Sequence, residues 1–357
     1  MHIGILTFHR ANNYGAVLQA YALKTYLSDR GHDVGFIDFQ HQNVQIIHRL
    51  VPPLRLLKPR TTLKNLYSMF LNFRGRIDHI RVFNLFRKKY FTNISLDKNV
   101  ELDLIILGGD QIWNPEFMNG IPPEHTGDFK NINFRKISSF SASAGSLDRS
   151  STELFDLPFR LAELSAIGVR ERSLAEFLLK MNPSLKPVVT IDPVFLLEKK
   201  RWSQLALPRS EKKEYILYYE VEANYKTEAI LRELRRKTGL EVKRICATRP
   251  PSKPFLGRGG VSPEEFLGIF LNSKYIVTTS FHGTAFSLIF EKEFYTVKAG
   301  TSSDSRSAEL LEEIGLSDRL ISKADQLKLE EPLDFQLAKQ KLCEKKNKSQ
   351  EFLESLV

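Results

Sequence analysis

Cysteine is almost missing from this chain: Cys246 and Cys343 are the only two in 357 residues. They lie far apart with no partner at metal-ligand spacing, which excludes a Cys-rich zinc site and argues against a disulfide framework. Such usage fits a reduced, cytoplasmic protein. Also missing is any uncharged apolar run near 18 residues, so no segment reads as a bilayer span. The opening Met1-His2-Ile3-Gly4-Ile5-Leu6-Thr7-Phe8 has neither the charged start nor the small-residue cleavage site of a secretory leader. No Gly-x-Gly-x-x-Gly follows the first strand, and no Gly-x-x-x-x-Gly-Lys-Ser/Thr occurs at all. That withdraws support from dinucleotide binding and from a P-loop. His-Glu-x-x-His and Gly-x-Ser-x-Gly are absent as well, and metal chemistry has no sequence support.

What is present is an ordinary globular composition, 42 % hydrophobic and 26 % charged. A single core rarely grows past about 250–300 residues, so the length favours two domains. The net charge of +10 admits a nucleic acid, an anionic membrane or an acidic substrate as partner.

The first forty residues read as a βαβ unit: strand Ile3–Phe8, a turn at Ala11–Gly15, a helix from about Ala16 to Arg30, and strand Val34–Asp38. Further buried strands are expected at Leu104–Leu107, Ile137–Phe140, Ser165–Val169 and Val188–Ile191. After a charged boundary around Leu197–Glu214 the alternation restarts, with strands at Tyr215–Tyr219, Val242–Ile245, Tyr275–Thr279 and Phe294–Lys298. Helices are expected between them at Tyr225–Thr238, Pro263–Asn272 and Thr284–Phe290. Ser262-Pro263-Glu264-Glu265 is a capping box with proline at the first helical position. The fold class is therefore α/β: two Rossmann-like doubly wound domains facing a cleft. The expected division is 1–197, with a basic helical insertion at about 43–91, then 198–333, and a last helix over 334–357 folding back on the body.

In open α/β sheets ligands sit beyond the carboxyl ends of the strands, and this rule selects the candidate residues. Gly108 and Gly109 permit close backbone approach, Asp110 and Gln111 can address sugar hydroxyls, and Trp113 offers an aromatic face unless it is tucked into the core. His282, among Ser280, Gly283 and the possible cap Thr284, suits anion binding or acid/base work, with His9 ranking second. Arg170 follows a strand and suits a carboxylate or phosphate, unless it pairs with Glu171 or Glu163. Arg306, expected to open a helix, is a second such cation.

Together these residues resemble the polysaccharide pyruvyl transferase family. The matching blocks are Ile3–Phe8 with Asn12-Asn13-Tyr14-Gly15 and on to Ala20, Leu107–Pro115, Ser141–Gly145, Val169-Arg170-Glu171-Arg172-Ser173, Asp192-Pro193-Val194-Phe195 and Thr279–Ala285. The resemblance implies a GT-B-like fold and transfer of a pyruvyl group from phosphoenolpyruvate to a saccharide acceptor, with no cofactor and no metal. It implies His282 as acid/base or phosphate ligand, Arg170 as anion clamp and Asp110 as base, with Asn12, Asn13, Gln111 and Trp113 shaping the pocket, and Tyr14 in the same block. Where the family carries Arg two residues before the motif His, this chain has Ser280, so Arg306 or Arg10 is the expected substitute cation. The rival readings are a glycosyltransferase using a nucleotide sugar and a basic nucleic-acid-binding protein. No nucleic-acid motif supports the latter, and no nucleic-acid partner is expected.

The charge is localised. Residues 45–91 carry eleven basic side chains against Asp78 alone, which accounts for all of the +10. Leucines and phenylalanines interleave with these cations. The stretch suits peripheral contact with an anionic membrane presenting a lipid-linked saccharide, against the alternative of helices packed on the first domain.

Overall fold

The computed structural model describes residues 1–39, 73–94, 100–145, 147, 152–207, 213–221, 225–246, 260–300, 302–330 and 332–357. Residues 40–72, which hold most of the basic stretch, lie outside the described residues.

The N-terminal sheet has seven strands: β1 (His2–Leu6), β2 (Asp33–Ile37), β3 (Asn93–Ile94), β4 (Glu101–Gly108), β5 (Asn133–Ala142), β6 (Ala166–Val169) and β7 (Pro187–Val189). Their order is β3-β2-β1-β4-β5-β6-β7, all parallel. The second sheet comprises β8 (Tyr215–Glu220), β9 (Glu241–Cys246), β10 (Tyr275–Thr278), β11 (Glu293–Val297) and β12 (Leu320–Ile321), also parallel, in the order β12-β11-β10-β8-β9. Both orders reverse direction once, between β1 and β4 and between β8 and β10. Those are the two topological switch points at which doubly wound sheets open a ligand crevice. The two-unit α/β reading thus holds at the level of strand order.

The helices are α1 (Tyr14–Ser28), α2 (Phe73–Tyr90), α3 (Pro115–Met118), α4 (Thr152–Arg160), α5 (Arg172–Met181), α6 (Lys199–Leu205), α7 (Tyr225–Thr238), α8 (Pro263–Asn272), α9 (Phe281–Ile289), α10 (Ser302–Glu313) and α11 (Gln336–Leu356). Two starts differ from the sequence reading in ways that matter. Helix α9 begins at Phe281 rather than Thr284, so His282 lies in its first turn. Helix α10 begins at Ser302, which places Arg306 a full turn inside it rather than at its mouth.

An aromatic seam joins the two units. Tyr14 stacks on Phe266 at 4.3 Å and 8°, meets Tyr219 edge-on, and donates its hydroxyl proton to the Val261 carbonyl at 2.9 Å. Helix α11 crosses back to the N-terminal unit. The Ile191 amide donates to Ser349 Oγ at 2.8 Å, the Tyr26 hydroxyl to Glu354 at 2.9 Å, and Lys136 Nζ to the Leu356 carbonyl at 3.0 Å. The described end of the basic stretch packs inward, because Phe83 and Phe86 of α2 are buried in the same core. Arg87 donates to the Ala11 carbonyl and to Asn12 Oδ1, and Ile77 and Leu85 remain exposed.

Candidate active site

The carboxyl ends of the two sheets meet at a charged cluster. Arg170, one residue past β6, sets Nη2 2.7 Å from Oδ2 of Asp192, and both side chains are almost wholly buried. The same guanidinium donates to the Gly109 carbonyl and, through Nε, to Ser141 Oγ at 3.3 Å. From the other unit, His282 brings Nε2 to 3.4 Å from the same Asp192 oxygen. Burial alone would raise the Asp192 carboxyl, but Arg170 and then His282 outweigh it and hold the pKa below the usual carboxylate range. Asp192 thereby fixes both an arginine and the imidazole, the arrangement that sets a histidine's orientation for acid/base work.

Glycine is required twice here. A Cβ on Gly15 would fall 2.2 Å from His282 Nδ1, so the ring rests on the first turn of α1 where only hydrogen leaves room. Gly109 has φ +91, a left-handed conformation, and a Cβ there would meet Gln19 Oε1 at 2.0 Å. Gly108, at φ +132, turns the chain just before it.

Beside this cluster lies a cavity of about 30 Å³, walled in part by Arg170, Glu171, Asp192, Phe281 and Arg306. The Arg306 guanidinium lies 5.5 Å from the centroid of the Phe281 ring and that of Arg170 5.3 Å from it. Arg306 Nε and Arg170 Nη1 are buried and have no hydrogen-bond partner among the described residues. Burial first, and then the neighbouring Arg170, lowers the Arg306 pKa from its ordinary value. Two buried guanidiniums with unused donors beside one cavity have the charge and the donors that an oxyanion ligand would need.

The remaining candidates divide clearly. Asp110 is buried and accepts from the Gln111 amide at 2.8 Å, with its charge acting on Arg306. The side chain of Gln111 is occupied by Asn114 at 2.9 Å. Trp113 is fully buried and donates its indole proton to the His125 carbonyl at 2.7 Å. It is a core residue with no free face for a sugar, because the glycine turn aims it inward. Asn13 caps α1 by accepting from the Ala16 amide, and Asn12 is taken by Arg87. Tyr14 belongs to the aromatic seam rather than to a pocket wall. Thr284 is buried against Thr296, 2.6 Å between hydroxyls. Gly283 packs α9 on β10, where a Cβ would meet Thr278 Oγ1 at 2.1 Å. Ser280 occupies the cap position without a side-chain cap bond, and its amide donates to Thr278 Oγ1. Arg10 is paired with Asp38 at the end of β2, so of the two substitute cations it is Arg306 that stands beside Arg170. His9 stacks on Phe36 at 4.8 Å, and burial draws its pKa down to about 4, leaving it uncharged at neutral pH. Among the described residues no cluster of His, Cys, Asp and Glu is arranged to hold a metal.

Asp192 is not among the site residues that the sequence singles out, and it, rather than Glu171 or Glu163, is the partner of Arg170. The signal was available: Asp192 closes the run Val188–Ile191, and the strand-end rule that selected Arg170 selects it equally.

A family model described as polysaccharide pyruvyl transferase matches residues 13–298. No curated protein matches the chain. Among solved structures, a UDP-N-acetylglucosamine 2-epimerase is similar at 13 % identity and TM-score 0.49, over 98 % of this chain and 89 % of that one. The S. aureus MnaA–UDP co-structure follows at 11 % and 0.48, over 91 % and 85 %. E. coli heptosyltransferase WaaC with ADP gives 12 % and 0.39, over 97 % and 100 %. At these scores the likeness says nothing about activity. The family model covers most of the chain and includes every residue of the charged cluster except Arg306: this transferase belongs to the polysaccharide pyruvyl transferase family.

Proposed function

We propose that the protein moves a pyruvyl group from phosphoenolpyruvate onto two hydroxyls of a saccharide, forming a cyclic ketal and releasing phosphate. The donor's methylene carbon takes up a proton and becomes methyl, its central carbon gains two bonds to sugar oxygens, and its bond to the phosphate oxygen breaks. Of the two hydroxyl protons displaced, one replaces that taken by the methylene carbon and the other leaves with phosphate. The observation that carries this reading is the pair of buried guanidiniums, Arg170 and Arg306, with unused donors beside one cavity. A donor carrying a carboxylate and a phosphate needs such cations. His282, steadied by Asp192, is the proton-transfer group adjoining them, and Asp110 is the candidate base toward the acceptor.

Incubation with phosphoenolpyruvate and candidate glycans should release phosphate only when a suitable glycan is present. Release of UDP or GDP from a sugar nucleotide, without phosphate release from any glycan mixture, would overturn the reading in favour of glycosyl transfer. The reading extends to a cytoplasmic enzyme touching an anionic membrane through residues 45–91, where a lipid-linked acceptor would be presented. The concentration of the net charge in that stretch supports it.

A further inference from the structure

Glu171 occupies the N-cap position of α5, yet its side chain caps nothing. A carboxylate there would ordinarily accept from the free amides of the first turn. Instead it is turned into the cavity shared with Arg170 and Arg306, where both oxygens are buried and neither is bonded to a guanidinium. The Ser143 hydroxyl is the hydrogen-bonding group beside it and favours its ionised form, and the Arg172 amide that it leaves free bonds instead to Glu309. An ionised carboxylate within sight of two guanidiniums, paired with neither, is an arrangement that burial penalises heavily. Something must complete it, and the two candidates are a proton and a ligand.

We propose that Glu171 is a proton-carrying member of the oxyanion pocket. In its neutral form it donates a hydrogen bond to the phosphate or carboxylate held by Arg170 and Arg306, so that anion binding takes one proton into the protein. This rests on reading the cavity as the donor site. The groups around Glu171 support it. Arg170 faces it from the end of β6, Ser143 from the end of β5, and Arg306 and Glu309 from α10. Asp192, which follows β7, lies across the cavity, with His282 of α9 beyond it. At the rim Glu313 of α10 is held by Lys345 of α11 and by Arg172, each at 2.6 Å. Asp192 and Asp110 already offset the two arginines, so an ionised Glu171 adds an uncompensated negative charge. Neutralising it removes that charge from the path of an entering anion and adds a donor proton. Burial, opposed by Arg170 and Arg306, pushes Glu171 up to about 7, so the switch lies within reach of neutral pH. The sign follows: the pocket is competent below that value and loses affinity as pH rises through it.

The test is calorimetric titration of the full-length protein with sulfate, a dianion that carries no proton of its own between pH 6 and 8.5. Wild-type affinity should be level near pH 6 and should fall by up to about tenfold per unit above pH 7. Titration at pH 7.5 in two buffers of different ionisation enthalpy should show net proton uptake, a measurement that needs no variant. Glu171→Gln, which keeps a donor and cannot ionise, should bind with nearly the same affinity across the range, whereas His282→Asn should keep the slope. Absence of proton uptake, an unchanged slope in Glu171→Gln, or no sulfate binding at any pH would overturn the proposal. Proton-linked sulfate binding in a protein that releases no phosphate with any glycan would sustain it while refuting the proposed reaction.

Discussion

Replacing Gly15 by alanine isolates the geometry of the site from the stability of the fold. Gly15 is the second residue of α1, and the added Cβ would lie 2.2 Å from His282 Nδ1, 2.5 Å from Cγ and 2.7 Å from Cε1. Three ring atoms cannot be accommodated at those distances, so the imidazole must retreat by about an ångström, well up the repulsive wall of a carbon contact. Two effects oppose each other in stability. Alanine is the better helix former by up to about 1 kcal/mol, while forcing a group into packed space costs about 1–3 kcal/mol. The net loss should be no more than about 3 kcal/mol, and the protein should fold. Catalysis has no such compensation. The ring is held by a 3.4 Å approach to Asp192 on one side and by Gly15 on the other, and a displacement of this size costs on the order of 10²-fold in rate. Phosphate release under saturating donor and glycan should therefore show kcat falling about 10²-fold with the donor KM little changed. His282→Ala should fall at least as far, and the double variant should be no worse than His282→Ala alone, because both changes act through one ring. A folded Gly15→Ala protein with kcat within about threefold of wild type would refute the placement of His282 in proton transfer.

Trp113→Phe removes the indole donor of a buried hydrogen bond to the His125 carbonyl, so it should cost about 0.5–1.5 kcal/mol in chemical denaturation with donor and glycan KM unchanged; a large rise in glycan KM would restore Trp113 to the pocket. Asp192→Asn leaves the Arg170 guanidinium buried without its counter-charge and should cost about 3–5 kcal/mol. Because the Asp192 pKa is lowered in the fold, its stabilisation is full above the unfolded value near ~3.9 and is lost as pH falls through the folded one. The acid limb of a plot of stability against pH should accordingly flatten in Asp192→Asn, and an identical limb in both proteins would refute the pairing. Neutralising Arg55, Lys58, Arg60 and Lys64 with glutamine should weaken sedimentation with anionic vesicles by about 1 kcal/mol per residue, and failure of the wild type to sediment with them would end the membrane reading.

The parts of the fold legible in the sequence were those settled within one element or one turn. Helices Tyr225–Thr238 and Pro263–Asn272 have the bounds that periodicity assigns, and the Ser262/Glu265 capping box forms in full. Where the local signal was ambiguous the reading slipped. Thr284 looks like a cap, but its hydroxyl is drawn to Thr296 on β11, twelve residues away, and α9 starts a turn earlier at a serine that makes no cap bond. The strand-end rule found the loops of the site because strand order alone fixes where they gather. It could not find which residues touch. Arg170 and Asp192 are separated by two elements, and His282 reaches Asp192 from the other unit. Trp113 failed for the same reason in reverse: a tryptophan after Gly108-Gly109 reads alike whether the turn aims it outward or toward His125.

What holds the two units together is not what makes the site. The seam is aromatic: Tyr14 on Phe266 and against Tyr219, and Tyr21 against Trp202. Each such pair adds about 0.5–1.5 kcal/mol beyond its buried area. The charged cluster does the opposite. Arg170, Asp192, His282, Arg306 and Glu171 are all buried, and apolar residues of the same volume there would be neutral or stabilising. The outer ties between α5 and α10, such as Arg172 with Glu313 at 2.6 Å, involve a half-exposed arginine and contribute little. Five ionisable groups buried against the chain's own stability, where loops from both sheets meet, are the groups on which the proposed donor site rests. That energetic mismatch marks the site more firmly than any single motif residue.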